Sequence, residues 1–269
     1  MSVTEVEIEA PDNIKHGDVT VSDGLRIHYQ EAGAGIPVVL LHGYTSCCDA
    51  SWFTDGMAKE IARTHRVIGI DARGHGRSEK PHDPARYPAD RMATDVIEVL
   101  EALGVERAHF HGYSMGGGLV AQLMARRPDL FITAGFGGSG VRETDEALAA
   151  QAAERDPKGL DPDQDRGRAA LAARPDRDNE ALKAVQDGPQ AKPSTAPPLD
   201  LTTIAFPVLA VNGEFDTPVS KTQRMQRELK DFRAVILPGH GHNTVTTAGF
   251  TPRLYIDTVA GFVRENDPA

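Results

Sequence analysis

Ala108-His109-Phe110-His111-Gly112-Tyr113-Ser114-Met115-Gly116-Gly117-Gly118 is the stretch that decides the fold of this 269-residue chain. Residues 108–113 read as a strand and Met115 to Arg126 as a helix, so Gly112-Tyr113-Ser114-Met115-Gly116 occupies a strand-to-helix turn. The G-x-S-x-G spacing has a mechanical reason. A serine on so tight a turn is held in a strained backbone conformation, and side chains at 112 and 116 would collide there; glycine at both positions removes the clash. The turn also puts Ser114 at a helix N-terminus, whose unpaired N–H groups and positive dipole end favour a developing oxyanion. Gly117 and Gly118 are expected to keep that terminus bare.

Working outward, Ile36-Pro37-Val38-Val39-Leu40-Leu41 is a continuous apolar run, as expected of a parallel strand covered on both faces. Arg66 to Asp71, Phe131 to Phe136, Phe206 to Asn212 and Arg233 to Pro238 read as further strands. Residues 18–31 read instead as a hairpin turning at Ser22-Asp23-Gly24, with Val19, Val21, Leu25, Ile27 and Tyr29 alternating against polar neighbours. Helix-period segments lie between several strands; from about Ala89 to Leu103, residues Met92, Val96, Val99, Leu100 and Leu103 make one stripe. Such alternation gives an α/β fold: a mostly parallel central sheet of about eight strands, helices on both faces and a small helical cap insertion. The core is assigned to 1–140 and 201–269, and the cap to 141–200. That insertion holds 13 acidic and 9 basic residues, 13 alanines and no Phe, Tyr or Trp. Glu143 to Arg155 and Asn179 to Asp187 read as its helices, and Pro193 to Pro198 as its return to the core.

Charge and composition exclude other classes. Apolar residues at 40% and charged residues at 25% are ordinary globular usage. A formal charge of −10 provides no basic field for nucleic acid or anionic lipid. Met1 to Asn13 is acidic, without a basic start or apolar core, and no stretch has about 18 continuous apolar residues, so neither secretion nor membrane spanning is expected. Cys47 and Cys48 are adjacent, a poor geometry for a disulfide, and read as reduced thiols of a cytoplasmic protein. His109 and His111 read as hydrogen-bonded core histidines and Trp52 as a core anchor.

Two further motifs accompany the serine turn: His42-Gly43 directly after the apolar strand, and Asp71-Ala72-Arg73-Gly74-His75-Gly76-Arg77-Ser78. With them the chain resembles the α/β-hydrolase fold superfamily over roughly residues 20 to 266, and within it a serine esterase-like member. The resemblance implies that the N–H groups of Tyr44 and Met115 form the oxyanion hole, with His42 structural and the Asp71 to Ser78 loop a scaffold. It also implies a chain order of Ser114, then an acid, then a histidine. In Gly213-Glu214-Phe215-Asp216 the family position falls on Asp216, with Glu214 the near rival. In Pro238-Gly239-His240-Gly241-His242 it falls on His242, while His240 occupies a place usually held by a small residue and stands as the alternative base. Epoxide hydrolases and haloalkane dehalogenases of this fold carry Asp at the nucleophile position, and Ser114 argues against both. The expected activity is hydrolysis of small to medium soluble carboxylic esters, with no metal or cofactor and no nucleic-acid or membrane partner. Lactone, amide or C–C bond hydrolysis, perhydrolysis and a non-turnover small-ligand receptor are the alternatives.

Overall fold

A hairpin of β1 (Lys15–Thr20) and β2 (Arg26–Gly33) leads into β3 (Pro37–Leu41), β4 (Arg66–Ile70), β5 (Ala108–Tyr113), β6 (Phe131–Gly137), β7 (Val208–Gly213) and β8 (Phe232–Leu237). These form one sheet in the order β1-β2-β4-β3-β5-β6-β7-β8. The pairs β1·β2 and β2·β4 are antiparallel and the rest parallel. The computed structural model describes residues 13–157, 164–189, 198–243, 245 and 251–268. Met1 to Asp12 and most of the Pro193 to Pro198 return lie outside those residues.

The apolar run at β3 is continuous because its residues alternate between two cores. Val39 and Leu41 face one side of the sheet, where α2 (Arg91–Ala102), α3 (Met115–Arg126) and α7 (Pro218–Glu228) contribute Val99, Leu123 and Met225. Val38 and Leu40 face the other, packed with Trp52, with Met57 and Ile61 of α1 (Met57–Ala62), and with Tyr255 and Val259 of α8 (Arg253–Glu265). All four strand side chains are at most 2% exposed, and burying each contributes roughly 1.5–3 kcal/mol. In the hairpin, Val21, Leu25 and Ile27 are buried, and Gly24 turns the chain at φ +82°.

Among the described residues, three α-helices lie between β6 and β7: α4 (Glu146–Arg155), α5 (Gln164–Ala172) and α6 (Asn179–Asp187). Asp145 caps α4 by accepting from the N–H groups of Ala147 and Leu148, so the helix begins at Glu146, later than Glu143. Asp178 caps α6 in the same way. Two other boundaries shift for physical reasons. The strand expected from Phe206 begins at Val208, because Pro207 has no N–H for the ladder. The helix expected from Ala89 begins at Arg91, because Asp90 has a left-handed φ of +61°. Among the described residues no helix is long and apolar enough to cross a membrane.

The strand order fixes where a site can form. β3 sits between β4 and β5, so the chain winds first to one side of β3 and then to the other, and the loops leaving β3 and β5 bound a crevice at their carboxyl ends. Leu41 pairs with Gly112 there, which sets His42-Gly43-Tyr44 beside Ser114.

Candidate active site

Ser114 links β5 to α3 at φ +52°, ψ −110°, a conformation that costs a non-glycine residue on the order of 1–3 kcal/mol. Its N–H donates to Gly137 O at 2.8 Å, tying the turn to β6. The flanking glycines are required by close backbone approach. A Cβ on Gly112 would lie 2.2 Å from Gly116 O, and one on Gly116 would lie 2.0 Å from Leu41 O. The clash that glycine avoids is therefore with backbone, including that of β3. A Cβ on Gly117 would meet Ser139 Oγ at 1.9 Å, whereas Gly118 is exposed with open space around it, so only the first of these two is sterically required.

The structure brings Ser114, His242 and Asp216 together. His242 Nε2 lies 2.8 Å from Ser114 Oγ, and Nδ1 lies 2.8 Å from Asp216 Oδ2. The Asp216 side chain is 7% exposed and that of His242 38%, so the imidazole has solvent on one side and a buried carboxylate on the other. The loops carrying them follow the neighbouring strands β7 and β8 and are joined by Phe215 N–H donating to His240 O at 2.9 Å. A Cβ on Gly213 would lie 2.4 Å from that same carbonyl, so glycine permits the approach. Glu214, the rival acid, is used elsewhere: its Oε2 accepts from Gly239 N–H at 2.8 Å.

Three contacts around this trio carried no local sequence signal. The Tyr113 hydroxyl donates to His242 O at 2.6 Å, anchoring the histidine loop to the end of β5. The Lys221 ammonium donates to the second Asp216 oxygen, and burial pulls Lys221 below its ordinary pKa although the carboxylate opposes this. Asp156, just past α4, accepts from Val219 N–H at 2.7 Å and Ser220 N–H at 3.2 Å. It therefore satisfies the first turn of α7 from more than sixty residues away. Thr217 is the N-cap residue of α7 and makes no side-chain cap bond, so Asp216 is left to His242 and Lys221.

Met115 is the first residue of α3, where N–H groups have no intrahelical acceptor. Gly43 lies close by, since a Cβ there would be 3.5 Å from Ser114 Cβ. His42 is buried with Nδ1 2.8 Å from Gly43 O, and its Nε2 accepts from Ala72 N–H at 3.0 Å. Burial holds this imidazole neutral, its pKa lowered to about 4. The Asp71 carboxylate accepts from the N–H groups of Cys48 and Arg77, each at 2.8 Å. Arg73, fully buried, clasps Asp95 through Nε at 2.6 Å and Nη2 at 2.8 Å. Cys47 and Cys48 are buried and unbridged; burial pushes the Cys47 thiol up to about 12 and holds Cys48 well above its ordinary value. Neither is a thiolate nucleophile. The Tyr44 hydroxyl donates to Leu182 O of α6 at 2.8 Å, and Arg174 donates to Thr45 O at 3.1 Å. The segment between β6 and β7 thus grips both the loop after β3 and the start of α7.

Comparison with known proteins identifies the fold family. The profile of the alpha/beta hydrolase fold matches residues 36–176, more than half of the chain. The chain belongs to the alpha/beta hydrolase fold family. As an alpha/beta hydrolase it is similar to the non-heme chloroperoxidase of Streptomyces lividans, 41% identical over 112 residues that make up 41% of this chain and 39% of that one. It is 31% identical to bifunctional epoxide hydrolase 2 of Rattus norvegicus over 45% of this chain and 21% of that protein. The matched region thus spans about two fifths or less of these curated relatives. A solved structure of an N-acyl homoserine lactone degrading enzyme is similar over 91% of this alpha/beta hydrolase and 99% of that chain, at 27% identity and a TM-score of 0.67.

Proposed function

We propose that this alpha/beta hydrolase is a serine hydrolase of carboxylesterase type, cleaving small to medium soluble esters through an acyl-enzyme. One observation carries the reading: a single imidazole, His242, stands 2.8 Å from Ser114 Oγ and 2.8 Å from Asp216 Oδ2. Ser114 Oγ attacks the ester carbonyl carbon while His242 Nε2 takes the hydroxyl proton. Asp216 accepts from Nδ1–H, fixing the tautomer and stabilising the imidazolium. The carbonyl oxygen becomes an oxyanion that accepts from the N–H groups of Tyr44 and Met115. His242 then gives its proton to the leaving alkoxide as the C–O bond breaks, and the acyl group remains on Ser114. In the second half, His242 takes a proton from water as it attacks the acyl carbon, then returns that proton to Ser114 Oγ as the Oγ–C bond breaks and the acid leaves.

Substrate size follows from the segment 141–200. Its 22 formally charged residues and absence of aromatics offer no greasy face for an emulsified lipid surface. The match to an epoxide hydrolase is not extended to epoxides, because enzymes of that class on this fold use an aspartate where this chain has Ser114. Lactone opening is the second reading: a lactone is a cyclic ester, and the likeness to the N-acyl homoserine lactone degrading enzyme favours it. The chemistry needs no cofactor, and the unbridged Cys47 and Cys48 fit a reducing, cytoplasmic setting.

Turnover of p-nitrophenyl acetate and butyrate is expected for the wild type and not for Ser114→Ala, and a fluorophosphonate should label Ser114, as located by mass spectrometry. Equal rates in the two proteins, with no label at 114, would overturn the proposal. A parallel assay with an acyl lactone separates the two ester classes by their ratio of kcat/KM.

A further inference from the structure

At the opposite rim of the sheet, three side chains from separate elements converge. His65 directly precedes β4, His109 is the second residue of β5, and Asp267 follows α8. The two Nε2 atoms lie 2.9 and 3.2 Å from one oxygen, Asp267 Oδ1. The donor atoms of all three residues fall within 4.8 Å of one another, and no other His, Cys, Asp or Glu trio among the described residues converges in this way. The two imidazoles are buried, 2% and 0% exposed, and the carboxylate is 36% exposed.

The remaining ring nitrogens are also held. His65 Nδ1 lies 2.7 Å from Thr64 Oγ1, and His109 Nδ1 lies 2.9 Å from Thr133 Oγ1. A threonine hydroxyl both donates and accepts, so each Nδ1 can carry its proton and donate to its threonine. Both Nε2 lone pairs then face a carboxylate oxygen, and three electron-rich atoms meet in one place. A cation among them turns that repulsion into attraction. In the other tautomer both Nε2–H groups donate to Asp267 Oδ1, which has two lone pairs to receive them, and the cation takes the place of those two protons. Metal-ligating histidines use the first arrangement, with the far N–H held by an outer acceptor.

We propose that His65, His109 and Asp267 form a binding site for a divalent transition-metal ion of the Zn2+ type. Two imidazole nitrogens and one carboxylate oxygen are a zinc donor set, and the half-open carboxylate side leaves a fourth position to water. Ligands at about 2.0–2.1 Å from a tetrahedral ion stand about 3.3 Å apart. The two His–Asp267 separations of 2.9 and 3.2 Å are within a few tenths of an ångström of that span, and the two imidazole donor atoms lie within 4.8 Å of each other. The ion joins the end of α8 to β4 and β5. It lies five strand residues from Ser114 along β5, on the order of 16 Å, and serves the stability of this edge.

The test uses the full chain, stripped with EDTA and titrated with Zn2+ by calorimetry, with Tm followed in parallel. One-to-one binding and a Zn2+-dependent rise in Tm are expected for the wild type, and tetrahedral Co2+ should give intense visible bands. Asp267→Ala, a change at a partly exposed position, should abolish both the rise in Tm and those bands. Thr133→Val, which keeps the side-chain shape and removes the hydroxyl behind His109, should weaken affinity by about 10- to 100-fold. Absence of one-to-one binding in the wild type, or undiminished binding in Asp267→Ala, overturns the proposal.

Discussion

Hydroxyl, imidazole and carboxylate stand in line at both rims of the sheet, and what surrounds them differs. At the carboxyl ends of the strands the line is Ser114, His242, Asp216; at the amino ends it is Thr133, His109, Asp267. Contact distances are similar. Thr133 lies within β6 and is 1% exposed, and the ring it touches is 0% exposed. Ser114 stands on a positive-φ turn at a helix N-terminus, facing an imidazole 38% open to solvent. Three atoms in line are thus insufficient for nucleophilic chemistry. Access, strain that presents the hydroxyl, and N–H donors beside it distinguish the two rims.

The largest test of that contrast is Asp216→Asn. If the carboxylate orients the imidazole, kcat against p-nitrophenyl butyrate should fall by about 10⁴-fold while circular dichroism and Tm stay near wild type. A fall under tenfold would hand the acid role to another carboxylate. Next is the brace of the upper rim. Arg73→Met removes two donors to the buried Asp95 carboxylate and leaves it to Arg91, and chemical denaturation should read a loss of about 1.5–3 kcal/mol. Smaller again is Asp156→Ala, which uncaps α7 from a distance. A loss of about 1 kcal/mol is expected, with a lower kcat at unchanged fold because the Asp216 loop leads into that helix.

The smallest effect at neutral pH concerns His42 and His75, whose pKa values burial lowers to about 4 and about 3. Both imidazoles fold neutral, so the unfolded chain binds more protons below its ordinary histidine pKa of 6.5. Their contribution is complete above that pH and is lost as pH falls through 6.5 toward 4 and then 3. Tm measured across this window should drop in the wild type and drop less steeply in His75→Met. Parallel curves would remove His75 from the account.

The sheet was legible in the sequence because strands covered on both faces spell continuous apolar runs, as at Val38 to Leu41, and because Gly112 and Gly116 answer to backbone contacts that no other residue tolerates. The positions of Ser114, Asp216 and His242 followed from motif order. Their supports did not. Lys221 is one of many charged residues on a helix, and nothing local marks Asp156 as the acceptor for a helix that begins sixty residues later. The lower trio was hidden for the same reason: His65, His109 and Asp267 are up to 202 residues apart, and only the placing of β4 and β5 on either side of β3 and the return of α8 join them. His109 was recognisable as a hydrogen-bonded core histidine. Of its neighbour His111, one nitrogen meets Tyr255 Oη at 2.6 Å and the other has no partner among the described atoms.

Asp156 has a consequence for anyone who would retailor this protein by exchanging the stretch between β6 and β7. A transplanted segment can present a new wall to the substrate and still disable the host if it brings no acceptor for the amides of Val219 and Ser220. Chimeras that carry an aspartate or asparagine at the junction should retain a working acid loop, and those without one should need a compensating cap written into α7 itself.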